Sequence, residues 1–368
     1  MKQLTTRQVS IMIFVCVVAT KMVAFPSLLI SATGNSMWLA ILIMFLIDAC
    51  FLLTICAISK RFPDLTFKQF LERGFGKALT HIFLFLLGVL LALKVAMLVR
   101  ECYEFYNETS YVDLSWFVFL APLILVLAYL ATKKMRSIGR GGEIFFYFIV
   151  VALVMTFLLS MGHINLTTIL PLLPNGVLPV FNACFKYLFW FGDFLILFLC
   201  LGDVKLSQHS TKSFLFSYSI AMLAVLILCI THYSLFGAIS GTYKTSIIDV
   251  TEYVPRLSTT GRFTWIVVFL WPIAMIFAIC VYQFLTCLCF QKCFNINENS
   301  KQWLVYGAIA LSLSFLIITV FSENLIIKLV ANYAQYYVLV VQYLFPLSFP
   351  LLLIRNIKKE KQYGPQTV

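Results

Sequence analysis

Four ionisable side chains set inside apolar runs carry the chemistry of this chain: Lys21, Asp48, Lys94 and Asp193. Each falls near the middle of a stretch long enough to cross a bilayer, so all four belong at similar depth, two of each sign. A charge in hydrocarbon is costly and normally faces a cavity or a partner. A fifth, Lys186, precedes Asp193 by seven residues. That is about 10 Å along a helix, and its ammonium can snorkel to the outer surface. Two arrangements are open. The four charges form two buried salt bridges that only fix helix packing, or they line a midplane cavity that binds a zwitterion or couples to protons. Either way, removing one partner should be worse than removing both, because a lone buried charge stays unpaired.

Two of these charges sit where the backbone should fail. The first apolar run contains VVATKMVAFPSLLI, with Thr20, Lys21 and Pro26 close together. Proline lacks a donor and clashes with the carbonyl four residues before it, here that of Met22. A bend or break over 19–24 follows. The sixth run has FWFGDFLI at its centre, where Gly192 and Asp193 weaken the helix at the same depth. Gly192 alone could serve only close packing, and Phe189, Trp190 and Phe191 either roof a pocket or face core and lipid. Interruptions in the first and sixth of ten helices together are more specific. They are the pattern of a five-plus-five inverted repeat with a midplane substrate site. Freed backbone groups at such breaks bind charged ligand ends, and half-helix N-termini attract carboxylates.

The elements that must position these residues are membrane spans. Hydrophobic residues make up 62% of the 368 and charged residues only 11%, whereas a soluble domain is about half apolar and a quarter charged. A soluble enzyme, a secreted domain and a disordered chain are excluded. Runs of about 20 apolar residues suit a crossing helix. Ten occur, at roughly 9–32, 37–58, 82–103, 115–131, 143–161, 181–201, 214–239, 263–290, 303–321 and 333–354. The links leave no room for a soluble domain, so residues 1–368 read as one membrane domain. Its repeats cover about 9–161 and 181–354, and 355–368 form a tail. The longest link, 59–81, places Phe67, Phe70, Leu71, Phe75 and Leu79 on one helical face, which predicts an amphipathic helix on the membrane surface.

Charge sets orientation. With the N-terminus in the cytoplasm, the inner links hold 19 Lys and Arg and the outer links five. This positive-inside bias places both termini in the cytoplasm and accounts for the net charge of +12 without nucleic acid. The outer link 101–114 is acidic, with Glu101, Glu104, Glu108 and Asp113. Lys2 and Arg7 before the first apolar run resemble a signal peptide, but no small-x-small cleavage site follows, so a retained first span is expected. Most of the 11 cysteines lie in apolar runs as small hydrophobes. Cys287, Cys289 and Cys293 cluster without a nearby His or fourth Cys, so no metal is assigned. There is no P-loop, nucleophile elbow or HExxH motif, and neither a cofactor nor enzymatic catalysis is expected.

Several segments resemble the endospore germination permeases. They are LTTRQVSIMIF at the N-terminus, FPSLL after the first break, SKRFPDLTFKQFLERGFGKAL, LPLLPNGVLPVFNACF, FGDFLILFLCLGDV and GRFTWIVVFLWPIAMIF. The motifs are diffuse, and their collinear order over nearly the whole chain carries the likeness. These permeases are the B subunits of GerA-type nutrient germinant receptors, similar to amino acid–polyamine–organocation transporters with a LeuT-like inverted repeat. The resemblance implies the spore inner membrane, an A subunit and a lipoprotein C subunit as partners, and a small nutrient, commonly an amino acid, as ligand. By that likeness the ligand lies between Ala19, Thr20, Lys21, Met22, Val23 and Ala24 of the first break and Phe189, Trp190, Gly192 and Asp193 of the other. Lys94 and Met97 on the third helix, and Ala274 and Phe277 on the eighth, complete the expected site. The family usually has glycine in the first break and a Gly-Glu pair in the sixth helix. This chain has Ala19-Thr20-Lys21 and Gly192-Asp193. Lys21 can stand in for a cation, or neutralise Asp193 and leave room for an uncharged nutrient. An active secondary amino acid transporter is the competing function.

Overall fold

A computed structural model describes residues 4–63, 65–110, 115–131, 135–205, 209–253, 264–296 and 333–355. The described chain is almost entirely helical, apart from a two-residue parallel pairing of β1 (Leu4–Thr5) with β2 (Val204–Lys205). The helices are α1 (Thr6–Lys21), α2 (Phe25–Thr33), α3 (Met37–Arg61), α4 (Phe67–Phe75), α5 (Lys77–Ser110), α6 (Trp116–Ala131) and α7 (Met135–Ser160). They continue with α8 (Leu178–Lys186), α9 (Phe194–Leu199), α10 (Ser210–Phe236), α11 (Ser246–Tyr253), α12 (Thr264–Cys293) and α13 (Ala334–Val338). After α13 the backbone widens into a π-helical turn over Leu339–Leu344, ahead of Pro346.

Six stretches among the described residues are long and apolar enough to cross a membrane. They are Phe25–Arg61, Lys77–Thr109, Met135–Leu158, Ser210–Thr242, Val267–Cys293 and Ala334–Arg355. The chain is an all-α, multi-span membrane protein. The first stretch holds 37 residues, about 55 Å of helix against ~30 Å of hydrocarbon. It divides at the tight turn Gly34–Ser36, where Gly34 has φ 59°. The apolar run at 303–321 lies outside the described residues.

α1 is the central element. Every residue from Gln8 to Lys21 is buried, enclosed by α10, α12 and α7. Its start is fixed by a capping box, in which the Thr5 side chain accepts from Gln8 N–H and the Gln8 side chain accepts from Thr5 N–H. α12 lies along α5 and α7.

Two expectations are corrected. The link 59–81 is not one amphipathic helix on the membrane surface. α4 starts at the Thr66 capping box and ends at Gly76, whose φ of 84° breaks the helix. Leu79 belongs to α5 and is half exposed. The apolar face of α4 is covered by protein: Phe67 meets Phe198, Phe70 meets Phe349 edge-on at 5.9 Å, and Phe75 meets Phe345 at 4.6 Å. The acidic link 101–114 is also displaced, because α5 runs on to Ser110 and buries Glu101.

Candidate functional site

The backbone leaves the helix in both expected places. Between α1 and α2, Met22–Ala24 are non-helical, and Pro26 occupies the first turn of α2, where its missing N–H costs nothing. Between α8 and α9, a short 3-10 turn Leu188–Trp190 leads into an extended Phe191 and then Gly192 at φ 87°. Only glycine adopts that conformation without strain. Space forbids a side chain there as well, since an added Cβ would overlap the amide of Gln342.

All four intramembrane charges converge on the three residues Phe191-Gly192-Asp193. Lys21 Nζ donates to Asp193 Oδ2 at 2.5 Å, with both side chains fully buried. Asp193 Oδ1 accepts from the Tyr282 hydroxyl at 2.7 Å. Asp48 Oδ2 accepts from Gly192 N–H at 2.7 Å and from the Tyr218 hydroxyl at 3.0 Å, and its Oδ1 accepts from the Tyr343 hydroxyl at 3.0 Å. Lys94 Nζ donates to the Phe191 carbonyl. The cations also lie near aromatic faces, Lys21 at 4.9 Å from the Phe191 ring and Lys94 at 5.7 Å from Tyr282.

The physical logic starts from the break. A broken helix frees N–H and C=O groups that must find partners away from water. Asp48 satisfies the Gly192 donor and Lys94 the Phe191 acceptor. One direct ion pair therefore forms, not two, because Asp48 and Lys94 each engage the backbone of the break. Lys94 retains donor capacity, having up to three N–H groups. Both carboxylates have an acceptor bond on each oxygen.

The other expected site residues divide into two groups. Phe189 and Trp190 stand at the break: Lys94 lies 5.8 Å from the Phe189 ring, and Trp190 Nε1 donates to Glu101 Oε1 at 3.3 Å. Ala19, Met22 and Val23 are buried at the first break and Ala24 is half-buried. Thr20 turns back onto its own helix, donating to the Cys16 carbonyl at 2.8 Å. Met97 and Ala274 are buried in the core. Phe277 points elsewhere, packing its ring over Gly142 and against Phe145 of α7, 5.9 Å between centroids. Lys186 is half-buried beside Tyr187.

Sequence reasoning missed Tyr218, Tyr282, Tyr343, Gln342 and Glu101. A buried phenol needs a partner much as a charge does, but Tyr218 lies between Ser217 and Ser219 and Tyr282 precedes Gln283, so neither stood out in its run. Gln342 donates to the Leu188 carbonyl at 3.1 Å and closes the site over Gly192. Among the described residues no group of His, Cys, Asp and Glu is placed to hold a metal.

The sequence profile of a family described as spore germination protein, the spore permeases, matches residues 3–324. The chain is also similar to spore germination protein KB of Bacillus subtilis (strain 168), 24% identical over 380 residues, covering 99% of this chain and 98% of that protein. An all-α membrane protein with a profile match over most of its length belongs to the spore germination permease family.

Proposed function

We propose that this chain is the membrane subunit of a spore nutrient germinant receptor. It binds a small nutrient, such as an amino acid, at the paired helix breaks and acts with an A subunit and a lipoprotein C subunit. It resides in the spore inner membrane with both termini in the cytoplasm. The observation that carries this reading is the convergence of Lys21, Asp48, Lys94 and Asp193 on one interrupted helix in a germination-family chain.

Ten spans in one domain, related as a LeuT-like five-plus-five repeat, fit the breaks after Lys21 and before Phe194. Lys94 and the ends of the broken helices suit a ligand carboxylate. An amino group would have to compete with Lys21 for Asp193, because the carboxylate oxygens already have donors. A nutrient that binds one arrangement of the breaks better than the other shifts the population, and the partner subunits read the shift.

The test is complementation. Spores lacking the gene should lose the response to one nutrient class, and the parent gene should restore it. Asp193→Asn, present at parental level in the spore membrane, should not. Full restoration by Asp193→Asn would sink the proposal. Labelled amino acid uptake by the purified chain in proteoliposomes, above empty liposomes, would instead make it a transporter.

A further inference from the structure

Away from the helix breaks, a cleft of about 670 Å³ opens between the start of α1 and the start of α7, lined by Arg7, Arg140, Glu143, Ile144, Tyr147 and Phe148. Its polar rim is asymmetric. Glu143 is engaged at the back, with Oε2 accepting from Gln8 Nε2 at 3.4 Å and Oε1 lying 3.9 Å from Arg7 Nε. Arg7 also donates to the Tyr147 hydroxyl at 3.3 Å and is mostly exposed. Arg140 is exposed at the cleft, and the described residues supply it no carboxylate partner. Two guanidiniums against one carboxylate leave the cleft one positive charge in excess.

The apolar side of the cleft continues into a stripe. Ile144, Tyr147, Phe148, Val151, Val154 and Leu158 are all exposed, from 44% to 62%. They recur at the three- and four-residue spacing of one helix face. The stripe starts at the charged cleft and runs along α7, itself long and apolar enough to cross a membrane. A ligand that joins an anionic group to an apolar chain matches both the basic rim and the stripe.

We infer that this cleft binds the phosphodiester headgroup of an anionic phospholipid, with an acyl chain lying along the α7 stripe. Guanidinium forks match phosphate oxygens, and basic pockets between spans take lipid headgroups. A phosphodiester monoanion would neutralise the cleft's excess charge. A free phosphate would use the arginines alone, whereas a lipid headgroup there also sets its own acyl chain on the adjoining stripe.

Native mass spectrometry of the full chain in detergent, with added phosphatidylglycerol, reads this directly. One phosphatidylglycerol should stay bound at activation energies that strip phosphatidylcholine. Arg140→Gln and Arg7→Gln should each weaken that retention about tenfold, the worth of a charge-assisted contact. Lys77→Gln, at another exposed basic residue, should not. Melting in phosphatidylcholine alone should be unchanged in the arginine variants, and the two variants together guard against a folding defect in one. Equal retention of both lipids would overturn the inference, as would unchanged binding in both arginine variants. So would an equal loss in Lys77→Gln, or glycerol phosphate competing as well as the lipid.

Discussion

Lys21 and Asp193 form a buried ion pair, in which each charge is tolerable only because the other is present. Lys21→Met or Asp193→Asn should each destabilise the chain by about 3–5 kcal/mol, with the double variant closer to the parent. Denaturant melting of the three variants in detergent micelles measures this. Strict additivity of the two losses would show that the pair is not coupled. At this scale the sequence was half legible. The charges announced themselves, because an ionisable group in an apolar run is costly and needs a partner or a cavity. Their partners did not: Tyr218, Tyr282 and Tyr343 approach from three different helices, and no local pattern says that three distant hydroxyls meet two carboxylates. Phe277 shows the limit of depth as a guide. Its depth on α12 suited the site, but it faces the small surface offered by Gly142.

Elements are governed by their ends. The break after Lys21 was legible from Pro26, since the clash with the carbonyl of Met22 is local. The break at Gly192 depends on backbone conformation and on Gln342, 150 residues away and hidden from the sequence. Gly192→Ala should lose about 1–3 kcal/mol from the left-handed backbone alone, and more from the overlap with Gln342. In a Gln342→Ala background only the backbone cost should remain. Unfolding curves for the parent and the three variants of this cycle separate the two contributions, and identical losses in both backgrounds would remove the overlap from the account. α4 was misread for a related reason. Hydrophobic periodicity does not weigh a stop such as Gly76, and amphipathicity does not say whether lipid or protein covers the apolar face. Thr66→Ala should cost roughly 0.5–2 kcal/mol by removing the cap of α4, read as a lower melting temperature of the whole chain.

For the whole molecule, hydropathy gave the class, because a backbone in lipid must satisfy its own hydrogen bonds and so forms helices; six of the ten apolar runs stand among the described residues as helices long and apolar enough to cross a membrane. Orientation is the global property that charge bias predicts. A reporter fused at Lys77 should be active on the cytoplasmic side, and one inserted at Gly176 on the opposite side. Both on one side would overturn the assigned topology. The pairing of β1 with β2 bears on how the proposed receptor would transmit a signal. Leu4 N–H donates to the Asp203 carbonyl at 2.8 Å, Leu4 also rests on Gly139, and Gly202 lies against the Thr66 backbone. The start of α1 and the segment after α9 are thereby clasped to each other, and through neighbouring turns to α4 and α7. If the clasp holds when α1 tilts, α9 should move with it as one lever arm. Spin labels at Thr5 and Lys205 should keep a fixed separation with and without nutrient, while labels at Thr5 and Lys77 change theirs. The torque of a small event at mid-membrane would then reach the basic face as one displacement.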